Sequence, residues 1–182
     1  MFGTPVIANT GSLVAVPAGP VALVSEVTPF LDGVISRATV NLAGEEPGKA
    51  SLLKITGNTF ISSMVETLAE GHVFAEKAGL DPELLHKAIG YMFPGPYTPY
   101  SKRMLSGDYY KREEPLFSVD FARKDAAHAI KLADAVGVDL RIVKTLDAHL
   151  ASVQEEVGGK GDISAVYGVM RKESGLPYQN GE

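Results

Sequence analysis

The chain has 182 residues, of which 45% are hydrophobic, and a formal net charge of −5. Its lysines and arginines are scattered, which argues against nucleic acid or an anionic membrane as the main partner. It has no cysteine, and its four histidines show no metal-ligand spacing, so we expect no metal site. No apolar run approaches the roughly 20 residues of a membrane span. We expect a soluble intracellular protein, with the cytoplasm favoured over the mitochondrion.

The first 44 residues indicate a β-α-β order. Residues 13–16 form a short apolar run between glycine and proline, which favours a buried strand. Residues 20–33 have helical spacing, with Pro20 suited to the start and Gly33 to the stop. A second strand is predicted over residues 38–42. This order is typical of the last part of a doubly wound sheet.

From residue 46 onward the sequence predicts helices only. Residues 49–78 have apolar positions at helical spacing, which predicts one helix of about 45 Å. Asp81 and Asp162 are suited to cap later helices, and Pro82 to a first turn. Prolines and glycines between residues 91 and 115 indicate loops and short helices. Further helices are predicted near residues 118–136, 139–157 and 163–174.

The start of the long helix carries the most informative side chains. Lys54 and Asn58 are four residues apart, so they lie on one helix face. A lysine held beside a neutral amide on a packed, poorly hydrated surface is suited to donate or accept a proton. The alternative is that Lys54 extends from a core helix to solvent and that Asn58 is an ordinary surface residue. The apolar neighbours that predict the packed surface are Leu52, Leu53, Ile55 and Ile61.

The sequence contains three blocks in order: Gly48 to Asp81 with Lys54 and Asn58, Phe121-Ala122-Arg123-Lys124-Asp125 followed by Gly137, and Gly158-Gly159-Lys160-Gly161-Asp162. Together these blocks resemble the β-hydroxyacid dehydrogenase family. This family includes 3-hydroxyisobutyrate dehydrogenase and the glyoxylate/succinic semialdehyde reductases, and it is related to 6-phosphogluconate dehydrogenase. The resemblance implies a mainly α fold: a helical C-terminal dehydrogenase domain like that of 6-phosphogluconate dehydrogenase, over residues 46–182. Residues 1–45 would be a short α/β remnant of a Rossmann domain.

The resemblance also implies roles for individual residues. Lys54 would be the catalytic proton donor or acceptor, and Asn58 would bind substrate. Gly3 would support the substrate carboxylate, since Phe2-Gly3-Thr4 matches the family's Ser-Gly-Gly substrate loop. Phe2 departs from that pattern: it removes a hydroxyl donor and narrows the pocket, which puts the family's small hydroxyacid substrates in doubt.

Two further residues would bind the cofactor. Lys124 matches the lysine of the family's Lys-Asp pair near the cofactor, and Phe121 lies one turn before it. Alternatively, Lys124 is an ordinary helix cation paired with Asp120 or Asp125, and Phe121 is a core residue. Asp162 is expected to cap the last helix rather than to touch substrate.

The dinucleotide fingerprint Gly-x-Gly-x-x-Gly occurs nowhere in the sequence. In the resembled family the nucleotide-binding half precedes this region. We therefore expect the intact protein to be an NAD(P)-dependent oxidoreductase acting on a small hydroxy or oxo carboxylic acid, and this chain alone to be inactive. The alternative is a non-catalytic helical module for dimerisation or ligand binding.

The long helix also suggests self-association. Its apolar residues surround much of its circumference, so we expect that they cannot all face the core of one chain. The resemblance implies a homodimer built by packing the helical domains against each other. The residues that carry this expectation are Val65, Leu68, Val73 and Phe74.

Overall fold

A short parallel β-α-β arrangement forms the beginning of the chain, of which a computed structural model describes residues 1–93 and 95–181. Strand β1 (Leu13–Ala15) pairs with β3 (Ser36–Thr39), and β2 (Ala18–Gly19) pairs with β4 (Leu42–Ala43), both in parallel. Helix α2 (Val21–Leu31) lies between β2 and β3 in the chain. The predicted β-α-β order is confirmed, although the strand expected over residues 38–42 is interrupted between β3 and β4.

The first helix, α1 (Pro5–Asn9), was not predicted. Thr4 caps it, since its hydroxyl oxygen accepts the backbone N–H of Ile7 at 3.4 Å, and Pro5 occupies the first turn. A threonine followed by proline is a helix-start signal. With only five residues, the helix is too short for its hydrophobic spacing to show in the sequence.

Helix α3 (Gly48–Lys77) is continuous over 30 residues, which confirms the predicted long helix. The chain divides into two compact units within it, Met1–Asn58 and Thr59–Glu182. The predicted boundary after residue 45, between a Rossmann remnant and the helical domain, stays a prediction. The buried residues of α3 lie between Ser62 and Ala75. Val65, Leu68 and Val73 are buried in the second unit, whereas Phe74 is 74% exposed.

The second unit is helical. Its elements after α3 fall where the sequence predicts helices, and the side chain of Asp81 caps α4 by accepting the N–H of Glu83 at 2.9 Å. Helices α7 and α8 pack against each other, and buried residues of both join the core formed by the end of α3. The elements are α4 (Pro82–Met92), α5 (Tyr97–Leu105), α6 (Asp108–Lys111), α7 (Val119–Asp134), α8 (Arg141–Val157), a 3₁₀ turn (Ile163–Ala165) and α9 (Val166–Glu173).

A buried carboxylate joins three parts of this unit. Asp162 pairs with Arg103 of α5 at 3.1 Å, and its side chain is only 2% exposed. It accepts the backbone N–H groups of Leu116 at 2.9 Å and Phe117 at 3.1 Å. It also caps the last helical segment by accepting the N–H of Ser164 at 2.9 Å and its hydroxyl at 2.6 Å, which confirms the predicted cap.

A second buried polar group links α3, α4 and α5. The hydroxyl of Ser101 lies 2.8 Å from Nε2 of His72 and 2.8 Å from Nδ1 of His86. The pKa of His72 is lowered from its ordinary 6.5 to about 4, mainly by burial and also by His86, against the opposing effect of Glu76. His72 is therefore neutral in the folded chain at pH 7.

We expect the Asp162→Asn substitution to destabilise the chain by about 3 kcal/mol, because it leaves the buried Arg103 without its counter-charge. Urea unfolding followed by circular dichroism would measure the loss. Glu114→Gln is the matched control. It breaks the exposed ion pair in which Nζ of Lys160 lies 3.0 Å from Oε1 of Glu114, and it should lower the free energy of unfolding by about 0.5 kcal/mol or less. Equal effects of the two substitutions would contradict the role given to Asp162.

The buried histidine makes stability depend on pH. Between pH 6.5 and about 4 the unfolded chain binds a proton at His72 that the folded chain does not bind. The free energy of unfolding therefore falls as the pH falls through this window, and His72 accounts for about 3 kcal/mol of the fall. The difference between wild type and His72→Gln, measured by urea unfolding from pH 7 to 4, should show it. His128→Gln, at an exposed position, should leave the profile unchanged; an equal change in both would refute the assignment.

Candidate active site

Lys54 and Asn58 lie one turn apart in the first part of α3, and both are half-buried. The packed, poorly hydrated surface expected around them is only partly formed. Leu52 is 45% exposed, and Leu53 and Ile55 are half-buried. Ile61 does pack against the helical core, but the core-facing part of α3 begins only at Ile61 and Ser62, about one turn after Asn58. Lys54 therefore keeps partial access to solvent within the first unit.

The N-terminal segment packs on this part of α3. The ring of Phe2 covers Gly57: a Cβ added to Gly57 would lie 2.5 Å from Cε1 of that ring and 2.7 Å from its Cζ. The backbone of Phe2 is also fixed, since its N–H donates to the Val14 carbonyl at 2.9 Å and its carbonyl accepts the Val14 N–H at 3.0 Å. Strand β1 and helix α3 together hold Phe2 in place.

Gly3 follows in a conformation that requires glycine. Its φ is +143°, and an added Cβ would lie 2.4 Å from Cδ2 of Leu13. The residue before it, Phe2, contacts the turn of α3 between Lys54 and Asn58 through its ring at Gly57. Three of the predicted site residues, Gly3, Lys54 and Asn58, belong to the first unit.

Sequence reasoning missed Gly57 as part of this arrangement. A glycine inside a helix costs about 1 kcal/mol relative to alanine, so its presence needs a packing reason. The contact with Phe2 supplies that reason, because no other residue leaves room for the ring. A glycine inside a predicted helix, directly before Asn58, was the sequence signal that could have revealed this contact.

The two predicted cofactor residues lie at the start of α7 in the second unit. Phe121 is 62% exposed, so the alternative that it is a core residue is wrong. Nζ of Lys124 lies 5.4 Å from the centre of the Phe121 ring and 3.2 Å from Oδ1 of Asp125. The ion pair with Asp125 agrees with the alternative interpretation of Lys124. An exposed ring with an ammonium group beside it nevertheless fits a flat, partly charged ligand such as nicotinamide.

Other polar clusters are less suited to chemistry on a substrate. Ser101 lies between two histidines, as in a nucleophile–base arrangement, but Ser101 and His72 are fully buried. Over residues 1–93 and 95–181, no group of three or more histidine or acidic side chains is arranged to hold a metal ion. Within the same residues, none of the helices has the length and apolar character needed to cross a bilayer.

Comparison with known proteins gives a family match over most of the chain. A family model described as NAD-binding of NADP-dependent 3-hydroxyisobutyrate dehydrogenase matches residues 48–170. The NADH-dependent oxidoreductase ucdB of Aspergillus ustus is 36% identical over 179 residues, which cover 98% of this chain and 59% of that protein. The chloroplastic glyoxylate/succinic semialdehyde reductase 2 of Arabidopsis thaliana is 28% identical, over 87% of this chain and 43% of that protein.

Solved structures show the same fold. A 3-hydroxyisobutyrate dehydrogenase from Salmonella typhimurium superposes with a TM-score of 0.76 at 24% identity, over 91% of this chain and 57% of that one. Psf3 in complex with NADP+ and 2-OPP gives 0.75 at 21% identity, over 93% and 57%. The predicted fold class, a helical dehydrogenase domain after a short α/β part, is confirmed. The chain spans about half the length of the curated relatives it matches.

Proposed function

Because the chain belongs to the 3-hydroxyisobutyrate dehydrogenase family, we propose that it supplies the substrate side of an NAD(P)-dependent oxidoreductase. The reaction is hydride transfer between nicotinamide and a small hydroxy or oxo carboxylic acid. Curated relatives are named as oxidoreductases and reductases, and the family's cofactor is NAD or NADP. The observation that supports the proposal is the contact of the Phe2 ring, next to Gly3, with Gly57 on the turn of α3 that lies between Lys54 and Asn58.

Lys54 is the proton-transfer residue in this proposal. During reduction its ammonium group donates a proton to the carbonyl oxygen, and during oxidation its neutral amine accepts the proton of the alcohol. When bound, the nicotinamide supplies or accepts the hydride at the same carbon. The positive charge of Lys54 also stabilises the negative charge that develops on the oxygen.

Asn58 and Gly3 bind the substrate. Asn58 lies one turn after Lys54 on the same helix face, so its amide can donate a hydrogen bond to a group next to the reacting carbonyl. Gly3 has no side chain, so its backbone allows the close approach of a carboxylate. Asn58 lies in α3, and Gly3 lies between the Phe2–Val14 bridge and the start of α1.

Lys124 and Phe121 are the cofactor contacts that this chain contributes. The exposed Phe121 ring offers a flat apolar surface, and the Lys124 ammonium offers a donor for a carboxamide or phosphate oxygen. The glycine-rich turn that binds the pyrophosphate in dinucleotide folds is absent from these 182 residues. We therefore propose that the 182-residue chain is inactive by itself.

The catalytic assignment is tested by Lys54→Ala in a protein that joins this chain to a nucleotide-binding half. We expect kcat to fall by at least about 100-fold, because a positioned proton donor is lost, while the cofactor Kd stays nearly unchanged. Lys54→Arg should fail almost as badly, since a guanidinium does not release a proton near neutral pH. NAD(P)H oxidation with a panel of oxo acids gives kcat, and calorimetry gives the Kd.

Lys49→Ala is the matched control, because Lys49 is an exposed lysine on the same helix. It should keep normal activity. A near-normal kcat for Lys54→Ala, or an equal loss in Lys49→Ala, would remove Lys54 from the mechanism. Turnover with no oxo or hydroxy acid in the panel would remove the proposed reaction itself.

We also propose a homodimer formed through the helical part. Phe60 and Phe74 of α3 are each 74% exposed, and they lie about four turns apart on similar sides of the helix. Both rings are on one side of α3, so a partner helix packed along that side would cover them both. The interface of an obligate dimer buries on the order of 2,000 Å² or more.

Light scattering of the 182-residue chain at micromolar concentration should report a mass near twice 19.3 kDa. Phe74→Glu should shift the mass towards the monomer, because it places a charge in an apolar interface. Phe30→Glu is the matched control, since Phe30 is 70% exposed but lies on α2. A monomer in the unmodified chain would refute the dimer.

A further inference from the structure

The Phe2 ring is the part of the candidate site with the most restricted position. Its backbone is bonded at both ends to Val14, at 2.9 Å and 3.0 Å. Its ring rests on the α3 backbone at Gly57, in space that any other side chain at position 57 would fill. With these restraints on both sides, the ring forms a fixed aromatic wall in the first unit.

The Phe2 ring lies on the turn of α3 that carries Lys54, the proposed proton donor. Lys54 precedes Gly57 by three residues, so the two positions are neighbours on the helix surface. Side chains on a helix lean towards its N-terminus, so the space above Gly57 lies over the turn of Lys54. Asn58 follows Gly57 directly. A substrate held by Lys54 and Asn58 therefore has the Phe2 ring on one side.

The chemistry of the wall restricts the substrate. A phenylalanine ring has no hydrogen-bond donor or acceptor, so it cannot bind a hydroxyl or carboxylate on its side of the substrate. It does offer a flat apolar face to an aromatic or aliphatic group. A polar substituent placed against it loses water without gaining a hydrogen bond.

We infer that Phe2 is a specificity residue that selects substrates with an aromatic or bulky apolar group next to the reacting carbonyl. This inference rests on the proposed function, and it narrows the substrate class from small oxo acids in general to aryl or alkyl oxo acids. Gly57 acts as its positioning residue, because it leaves the room in which the ring lies.

The test compares phenylpyruvate, an aryl 2-oxo acid, with glyoxylate, which has no substituent, in the protein that includes a nucleotide-binding half. Wild type should favour phenylpyruvate in kcat/KM by about tenfold or more. Phe2→Ala should reduce that preference by about tenfold, through a higher KM for phenylpyruvate, with kcat/KM for glyoxylate within about threefold of wild type. Gly57→Ala, which forces the ring aside, should change the preference in the same direction.

Phe30→Ala is the control, since it removes an exposed ring of the same unit and should leave the preference unchanged. Circular dichroism before the assay identifies variants that do not fold, and Phe2→Leu, which keeps an apolar side chain, then replaces Phe2→Ala. Its preference for phenylpyruvate should lie between those of wild type and Phe2→Ala. The inference would be overturned if wild type used both substrates equally. It would also be overturned if Phe2→Ala and Gly57→Ala each lost kcat/KM equally for phenylpyruvate and for glyoxylate.

Saturation-transfer NMR of phenylpyruvate separates this inference from the proposed reaction. If neither acid is reduced but phenylpyruvate binds wild type and not Phe2→Ala, the proposed reaction fails and the role of Phe2 stands. If phenylpyruvate binds both proteins equally, or binds neither, the role of Phe2 is refuted.

Discussion

The helical unit depends on one buried carboxylate. Asp162 would be costly to bury alone, because an ion loses several kcal/mol of hydration in a protein interior. The structure offsets this cost with the Arg103 guanidinium and with hydrogen bonds from two backbone N–H groups and from Ser164. Each of these partners belongs to a different stretch of chain. The same group therefore fixes α5, the segment before α7 and the start of the last helical segment at one point.

Features set by neighbouring residues could be predicted from the sequence. The long helix α3 follows from its apolar spacing, and the caps at Asp81 and Asp162 follow from acidic residues just before helical turns. The interruption between β3 and β4 and the five-residue α1 could not be predicted, since both are shorter than the window over which periodicity is visible. The other bonds of Asp162 join segments that are distant in sequence.

The candidate site was predictable in residue type but less so in environment. Lys54 and Asn58 are on one face of α3, as their spacing requires, but apolar neighbours alone did not show that the core begins further along the helix. For Phe121, too, the sequence did not decide how exposed the side chain is. An aromatic residue on an amphipathic helix is compatible with both core and surface, and only the packed structure exposes it. The contact of Phe2 with Gly57 joins two positions with no local relation.

That contact has a consequence for how this sequence can vary. Residues 2 and 57 share one volume, so the effect of a change at either position depends on what occupies the other. A side chain at position 57 displaces the Phe2 ring unless the residue at position 2 has already become small, whereas a small residue at position 2 leaves a space. The two orders of substitution therefore pass through different intermediates: a change at position 57 first displaces the ring, and a change at position 2 first removes it.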